Sequence, residues 1–220
     1  MQNNDEAPAK RKVEELITRY RFEPSIRDLF VEGRSDAALI KKVLQSQNLK
    51  NVVVYEISSV EIPAEAVLAA GQPNGVRGRV LYLAFVFGEA LSPGSKAVTC
   101  AADRDYDLVL GRRYASPFLL FVDYCCIEMY AFNANVLNNL LNAIAPAIGK
   151  TGELLLRELT PLLQRLFLIR ATNISLALNI KWLPSFNDSC TLKDGSIQFD
   201  ETDFIKRYLG KNGRRRRCPR

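Results

Sequence analysis

Short apolar runs that end in acid recur along this chain. Leu29-Phe30-Val31 runs into Glu32-Gly33, and Ala97–Ala102 runs into Asp103, Asp105 and Asp107. Apolar runs of this length, bounded by turn residues, predict buried strands. After the first run, Asp36–Leu44 places Ala37, Ile40, Val43 and Leu44 on one helical face, with Ser35 as its N-cap. Asn51–Ile57 is β-branched and apolar and predicts a second strand. Ser58–Gly75, with Pro63, Pro73 and two glycines, predicts turns. Gly75–Gly88 predicts a helix with Val76, Val80, Leu83, Ala84 and Phe87 on its inner side, and Pro93-Gly94 breaks the chain before the acidic strand. Pro117–Val122 is the fourth strand, and Val13–Tyr20 is a short amphipathic helix ahead of the first, ended by Pro24. Strands alternating with helices in this way predict right-handed crossovers. The expected class is α/β, a mostly parallel sheet of about four strands flanked by helices.

From Asn135 the pattern changes. Val136–Ala145 and Gly152–Leu159 have helical periodicity, and Thr160-Pro161 reads as a cap followed by a first helical residue, starting another helix to about Leu178. Thr191–Phe199 is strand, Asp-Gly, strand, the signature of a hairpin. Asp200 or Thr202 caps a last helix to Leu209, closed by Gly210. The expected organisation is a polar leader over residues 1–12 without order, a sheet domain over 13–133, an α-rich extension with a β-hairpin over 134–210 that packs on the sheet, and a basic tail over 211–220.

Composition narrows the chemistry. There is no histidine among the 220 residues, which excludes Ser-His-Asp and Cys-His catalysis and histidine-held metals. The five cysteines, Cys100, Cys125, Cys126, Cys190 and Cys218, have no C-x-x-C spacing and read as reduced thiols of a cytoplasmic protein rather than as zinc ligands. No apolar run approaches the ~20 residues of a membrane helix, and the first residues lack the apolar centre of a signal peptide. The net charge of +6 is a property of the tail. Without Lys211–Arg220 and its six basic residues, 24 basic and 24 acidic residues remain. Arg214, Arg215, Arg216 and Arg217 suit a polyanion such as nucleic acid, or simply a solvated tail. Ala147–Thr151 (AIGKT) lacks the glycine that a phosphate-binding loop needs five residues before Gly149, and reads as a loop between helices.

What remains for hydrolysis is carboxylates with a hard metal ion. Glu32 stands at the C-terminal tip of a strand, where open α/β sheets place their ligands. In extended chain, positions two apart face the same way, so Asp103 and Asp105 project toward one point that Glu32 can share. Such a set suits Mg²⁺ or Mn²⁺, and two ions about 4 Å apart can activate a water and stabilise a leaving oxygen. Asp36 either positions the first helix or binds an ion through water, and Asp107 does the same or caps a turn. Gly33 lets the chain turn sharply and leaves room for a phosphate. Arg34 and Arg104 either hold that phosphate or form salt bridges within the acidic cluster.

Strand-Glu-Gly-x-x-Asp-helix followed by strand-Asp-x-Asp, as in Leu29–Leu44 and Lys96–Leu110, resembles the Toprim domain of topoisomerases, bacterial primases and OLD-family nucleases. The resemblance covers roughly Asp28–Met129. Its details are closest to the small Toprim effectors of phage-defence operons, such as the phage anti-restriction-induced system. It implies a Rossmann-like Toprim sheet and an Mg²⁺- or Mn²⁺-dependent endonuclease cutting DNA or RNA, tRNA included, with Glu32, Asp103 and Asp105 catalytic. It also implies an acid just after the fourth strand, matched by Glu128 in Ile127-Glu128. As an ordinary helix glutamate, Glu128 would be equally at home in a first turn. The implied setting is antiviral defence in a bacterial cytoplasm, with an ABC-type ATPase encoded nearby as partner and with room for a homodimer. The rival expectation is a non-catalytic Toprim-like subunit that binds the ATPase and whose acids are structural.

Overall fold

The computed structural model describes residues 9–146, 149–193 and 195–213. Contacts divide the chain into two compact units, Met1–Ile127 and Glu128–Arg220. The division falls after Ile127, ahead of the boundary expected after Asn133. The arginines Arg214–Arg217 lie outside the described residues.

The first unit is built on four strands, β2 (Asp28–Val31), β3 (Val53–Glu56), β5 (Val98–Ala102) and β6 (Leu119–Phe121), all parallel, in the order β3-β2-β5-β6. Alternation along the strands sorts their side chains to two faces. Leu29, Val31, Val54 and Ala101 pack with Ala37, Ile40 and Leu44 of α2 (Arg34–Ser46). Phe30, Val98, Cys100 and Ala102 face the other way. They join Leu16 and Tyr20 of α1 (Val13–Phe22) and Val80, Leu83, Ala84 and Phe87 of α4 (Val76–Ala90). The crossover from β2 to β3 therefore runs over one face, and the helix leading into β5 lies on the other. That is a parallel sheet flanked by helices on both faces, as the pattern predicted and compatible with a Rossmann-like fold, and its strand order reverses between β2 and β5.

Four local details differ from expectation. Helix α2 begins at Arg34, with Gly33 and not Ser35 as its N-cap. Arg11–Lys12, assigned to the leader, form a short strand β1 paired in parallel with β4 (Val60–Glu61). The region read as turns contains β4 and a short helix, α3 (Ala64–Ala69). The acidic strand ends at Ala102, as expected, but a short helix α5 (Asp107–Leu110) that the pattern did not mark follows its turn.

The second unit has α6 (Ala134–Ile144), α7 (Gly152–Ser175), the antiparallel hairpin β7 (Cys190–Lys193) and β8 (Ser196–Phe199), and α8 (Glu201–Lys211). Thr160-Pro161 starts no helix: α7 runs through Pro161 without a break. Its cap is Thr151, whose hydroxyl accepts the Leu154 N–H at 3.2 Å. Lys150 is ion-paired with Glu158 at 2.6 Å, the behaviour of a structural loop. The inward residues of α7, Leu162 and Leu166, pack with Ile180, Leu183, Phe204 and Tyr208 in a core belonging to this unit. The expectation that this surface packs on the sheet gives way, for these residues, to that local core. Asp200 caps α8, accepting the Asp203 N–H at 2.8 Å, and the helix passes through Gly210 to Lys211. Among the described residues, no helix is long and apolar enough to cross a membrane.

Candidate active site

Glu32 follows β2 directly and Asp103 follows β5 directly. The two strands are neighbours with Phe30 opposite Cys100, so the register carries Glu32 to the level of Ala102 and Asp103. The Asp103 N–H donates to Glu32 Oε1 at 3.0 Å. Two acids 71 residues apart are thus joined at the C-terminal edge of a parallel sheet, at the point where its strand order reverses. That crevice is where open α/β sheets bind ligands.

The remaining acids are held differently. Asp105 has φ +46°, in the left-handed region that aspartate tolerates better than most residues. Its N–H donates to the Cys125 carbonyl at 2.8 Å. Asp103 and Asp105 therefore do not share a face as strand residues do, because the strand has already ended. Asp107 is buried and ion-paired with Arg77. Arg77, in the first turn of α4, donates from Nε to the Asp103 carbonyl at 2.9 Å and lies 3.4 Å from Asp105 Oδ2. Its guanidinium carbon sits 5.4 Å from the centre of the Tyr114 ring and 5.9 Å from that of Phe121. Asp103 is fixed at three points, since its Oδ1 also accepts the Ile127 N–H at 3.1 Å.

Electrostatics follow from these placements. Burial pushes the Glu32 carboxyl up to about 7. The Asp103 N–H opposes this, and the charges of Asp103 and Asp105 add to it. For Arg77, burial works against the charge, but hydrogen bonding with Tyr114 and the charges of Asp107 and Asp105 outweigh it and hold the pKa above its ordinary value. Burial also lifts the Asp107 carboxyl in spite of Arg77, so this ion pair carries the desolvation cost of both partners.

The other expected site residues fall as follows. Asp36 accepts the Gly33 N–H at 2.9 Å, which gives it a capping task at the start of α2. Gly33 has ordinary extended backbone, φ −139° and ψ 175°, and an added Cβ would meet nothing closer than Asp36 Oδ2 at 3.7 Å. The chain bends at Glu32-Gly33 as expected, without drawing on glycine's left-handed freedom. Arg34 is exposed at the first position of α2. Arg104 donates to the Val122 carbonyl at 2.9 Å and lies over the Phe121 ring, which fastens the loop to β6. Glu128 is exposed in the 3₁₀ segment Ile127–Ala131 and belongs to the second unit. Cys100 is buried in the sheet core and its thiol pKa is pushed up by that burial.

Arg77 went unread in the sequence, although one signal points to it. A cation in the first turn of a helix opposes the helix dipole. The segment Gly75-Val76-Arg77-Gly78-Arg79 carries two in an otherwise apolar helix. Such arginines need acceptors elsewhere, and Arg79 finds the Val60 carbonyl at 2.8 Å.

Among the described residues, no three acids or cysteines gather as a ready metal cage. A hard divalent cation does not require one. Mg²⁺ keeps several waters and is commonly held by one or two carboxylates and the substrate's phosphate. Glu32 and Asp103 are the two acids at this edge, in contact through the Asp103 main-chain N–H, while Asp103 Oδ1 accepts the Ile127 N–H. A second ion fits less well, because Asp107 is already committed to Arg77. No family model matches the chain, and no curated protein is similar to it.

Proposed function

We propose that this chain is a divalent-cation-dependent nuclease of Toprim type, cleaving phosphodiester bonds in DNA or RNA. One observation carries the reading. At the switch point of a doubly wound parallel sheet, the carboxylate of Glu32, after β2, accepts the main-chain N–H of Asp103, after β5, so that acids of two separate strands stand side by side. When bound there, Mg²⁺ or Mn²⁺ would polarise the phosphodiester and lower the pKa of a water. Glu32 and Asp103 are the residues that would hold it. Asp103 is positioned by bonds of its main chain to Glu32 and Arg77 and of its Oδ1 to the Ile127 N–H. Asp105, with its side chain half exposed, lies at the solvent side of the loop and completes the site when substrate enters. Arg34 is the exposed cation of the first motif and meets the substrate phosphate, with Arg104 holding the loop beneath. The basic tail adds affinity without sequence preference. A bacterial cytoplasmic setting, a place in antiviral defence and an ABC-type ATPase that restrains the nuclease rest on the resemblance to Toprim effectors. Co-expression with a neighbouring ATPase and size-exclusion chromatography test that partner.

The direct test is incubation of purified protein with plasmid DNA and with total RNA, with and without Mn²⁺, beside Glu32→Ala and Asp103→Ala. Metal-dependent cleavage lost in both variants is the expected result. Equal cleavage in all three proteins, or none in any, overturns the reading. The last outcome favours the rival, a non-catalytic binding subunit. One observation leans that way: Arg77 already neutralises part of the acidic cluster without any added ion.

A further inference from the structure

At the opposite end of the sheet from Glu32, two loops form a cleft. Strands β2 and β5 pair from their first residues, Asp28 opposite Val98, and the Asp28 N–H donates to the Ala97 carbonyl at 2.9 Å. The chain that enters β2 from α1 is thereby brought beside the chain that enters β5 from α4. Between them lies a cleft of about 530 Å³, a volume within the range of sites for small ligands. Its buried lining is apolar, from Leu91 and from Tyr20, whose hydroxyl is given to Asp28. The rest of the lining carries three cations, Arg21, Arg27 and Lys96, and two hydroxyls, Ser92 and Ser95, and no acid.

The cations keep their charge for a ligand. Arg27 Nη1 donates to the carbonyls of Pro24 at 3.0 Å and Ile26 at 2.6 Å, and Arg21 Nη2 donates to that of Ala90 at 2.8 Å. These acceptors are neutral and engage one nitrogen of each guanidinium, which has five N–H donors in all. Ser95 Oγ accepts the Ala97 N–H at 3.3 Å, which leaves its own proton to donate. Among the described residues, no carboxylate is ion-paired with Arg21, Arg27 or Lys96. Arg19 and Arg77, in the same unit, are each held by acids. Three positive groups on one cleft repel one another and attract anions into it.

We propose that this cleft binds a small phosphorylated ligand with at least two phosphate groups, of nucleotide size or less. Charge sets the class. Three cations and two hydroxyl donors without an acid suit a multiply charged anion, and the arginine fork pairs two oxygens of one phosphate. The apolar lining receives the uncharged part of the ligand. The length of β2, about 13 Å at 3.3 Å per residue, separates the cleft from Glu32. The site is therefore independent of the nuclease reading and stands or falls by binding alone.

The test titrates the full chain by calorimetry with inorganic pyrophosphate, ATP and adenosine, in EDTA so that no metal carries phosphate to the acidic edge. Wild type is compared with Arg27→Gln, with Lys96→Gln and with a tail variant in which Arg214, Arg215, Arg216 and Arg217 are all changed to alanine. Pyrophosphate and ATP are expected to bind at one site per chain, and adenosine not to bind. Arg27→Gln and Lys96→Gln should each weaken that site about tenfold or more, the scale of a hydrogen bond to a charged group, and the tail variant should match wild type. Should Arg27→Gln fail to fold, Lys96→Gln, at an exposed position, supplies the same readout. No binding of either phosphate compound overturns the proposal, as does wild-type affinity in the folded cleft variants. Loss of binding in the tail variant alone would place the phosphate on the tail and also overturn it. So would a single-stranded oligonucleotide that binds less tightly to both cleft variants while pyrophosphate fails to bind wild type, since the cleft would then serve a strand and not a small ligand.

Discussion

Strand β2 begins with one carboxylate and ends with another, and the two have opposite surroundings. Asp28, at the first position, is buried. It accepts the Tyr20 hydroxyl at 3.1 Å and Arg19 Nη1 at 3.2 Å, both from α1. Burial raises its pKa, while Tyr20, Arg19 and Arg11 all pull it back down. Glu32, just past the other end, is also lifted by burial; the Asp103 N–H and the charge of Arg77 pull it back, while its carboxylate neighbours Asp103 and Asp105 add to the lift. An acid answered by a phenol and a guanidinium is part of the frame. An acid set among other acids, at the end of the sheet where the strand order reverses, has like charges beside it as well as the cation Arg77. Within the cluster, Arg77 is ion-paired with buried Asp107 and so makes that acid part of the frame.

The comparison breaks most decisively through activity. Glu32→Ala and Asp103→Ala should each lower Mn²⁺-dependent cleavage by on the order of 10²- to 10³-fold, the scale of losing a group that stabilises charge in the transition state. Initial rates on plasmid or total RNA, with circular dichroism to confirm folding, read this out. Undiminished rates in folded variants would make Glu32 as structural as Asp28.

Next comes stability at the other end of the strand. Asp28→Ala leaves the Tyr20 hydroxyl buried without its acceptor and Arg19 without its carboxylate. A loss of about 2–3 kcal/mol in urea denaturation is expected. Cleavage per folded molecule should stay at the wild-type rate. A stable Asp28→Ala protein with impaired cleavage would reverse the assignment of the two ends.

The pH dependence of stability sharpens the contrast. The folded-state pKa of Glu32, about 7, lies above the ordinary 4.5, so the native protein holds this proton more tightly than the unfolded chain. The resulting stabilisation is complete below about pH 4.5 and is lost as pH rises through about 7. Its size is of order 1–3 kcal/mol after allowance for solvent screening. Asp28 contributes with the same sign, so the wild type should be compared with Glu32→Gln, whose stability should fall less between pH 5 and pH 8. Added Mn²⁺ should restore stability at pH 8 in wild type only. Parallel curves for the two proteins would deny Glu32 its raised pKa.

The smallest effect belongs to Asp36. As the acceptor of the Gly33 N–H it is a cap, and Asp36→Ala should cost about 1 kcal/mol with Mn²⁺ affinity unchanged. A tenfold weaker affinity would return it to the ligand set where sequence reasoning had placed it.

Legibility followed the range of the interaction. Apolar runs and helical periodicity marked β2, β3, β5, β6, α2 and α4 and the hairpin within a few residues, because these elements are shaped by neighbours one to four positions away. Thr160-Pro161 misled because proline's lost hydrogen bond was offset by packing that no local pattern contains: Leu162 and Leu166, on either side of one turn, are both buried in a shared core. The equal spacing of Asp103 and Asp105 misled because period two holds only while the strand lasts, and it ends at Ala102. Asp28 and Arg77 escaped notice because nothing beside them in sequence is their partner. Asp28 needs α1, and Arg77 needs a turn about 30 residues further on.

By itself, then, the sequence determined that two apolar strands end in acid, that no histidine chemistry is available, and that strands and helices alternate into an α/β sheet. Those follow from residue type and short-range period. The tertiary structure alone decided that β2 and β5 are neighbours, that α2 and α4 cover opposite faces, and that Glu32 meets Asp103 while Asp107 is taken by Arg77. Strand order and ion pairing are settled by which surfaces bury one another across the whole unit, and that competition has no local signature.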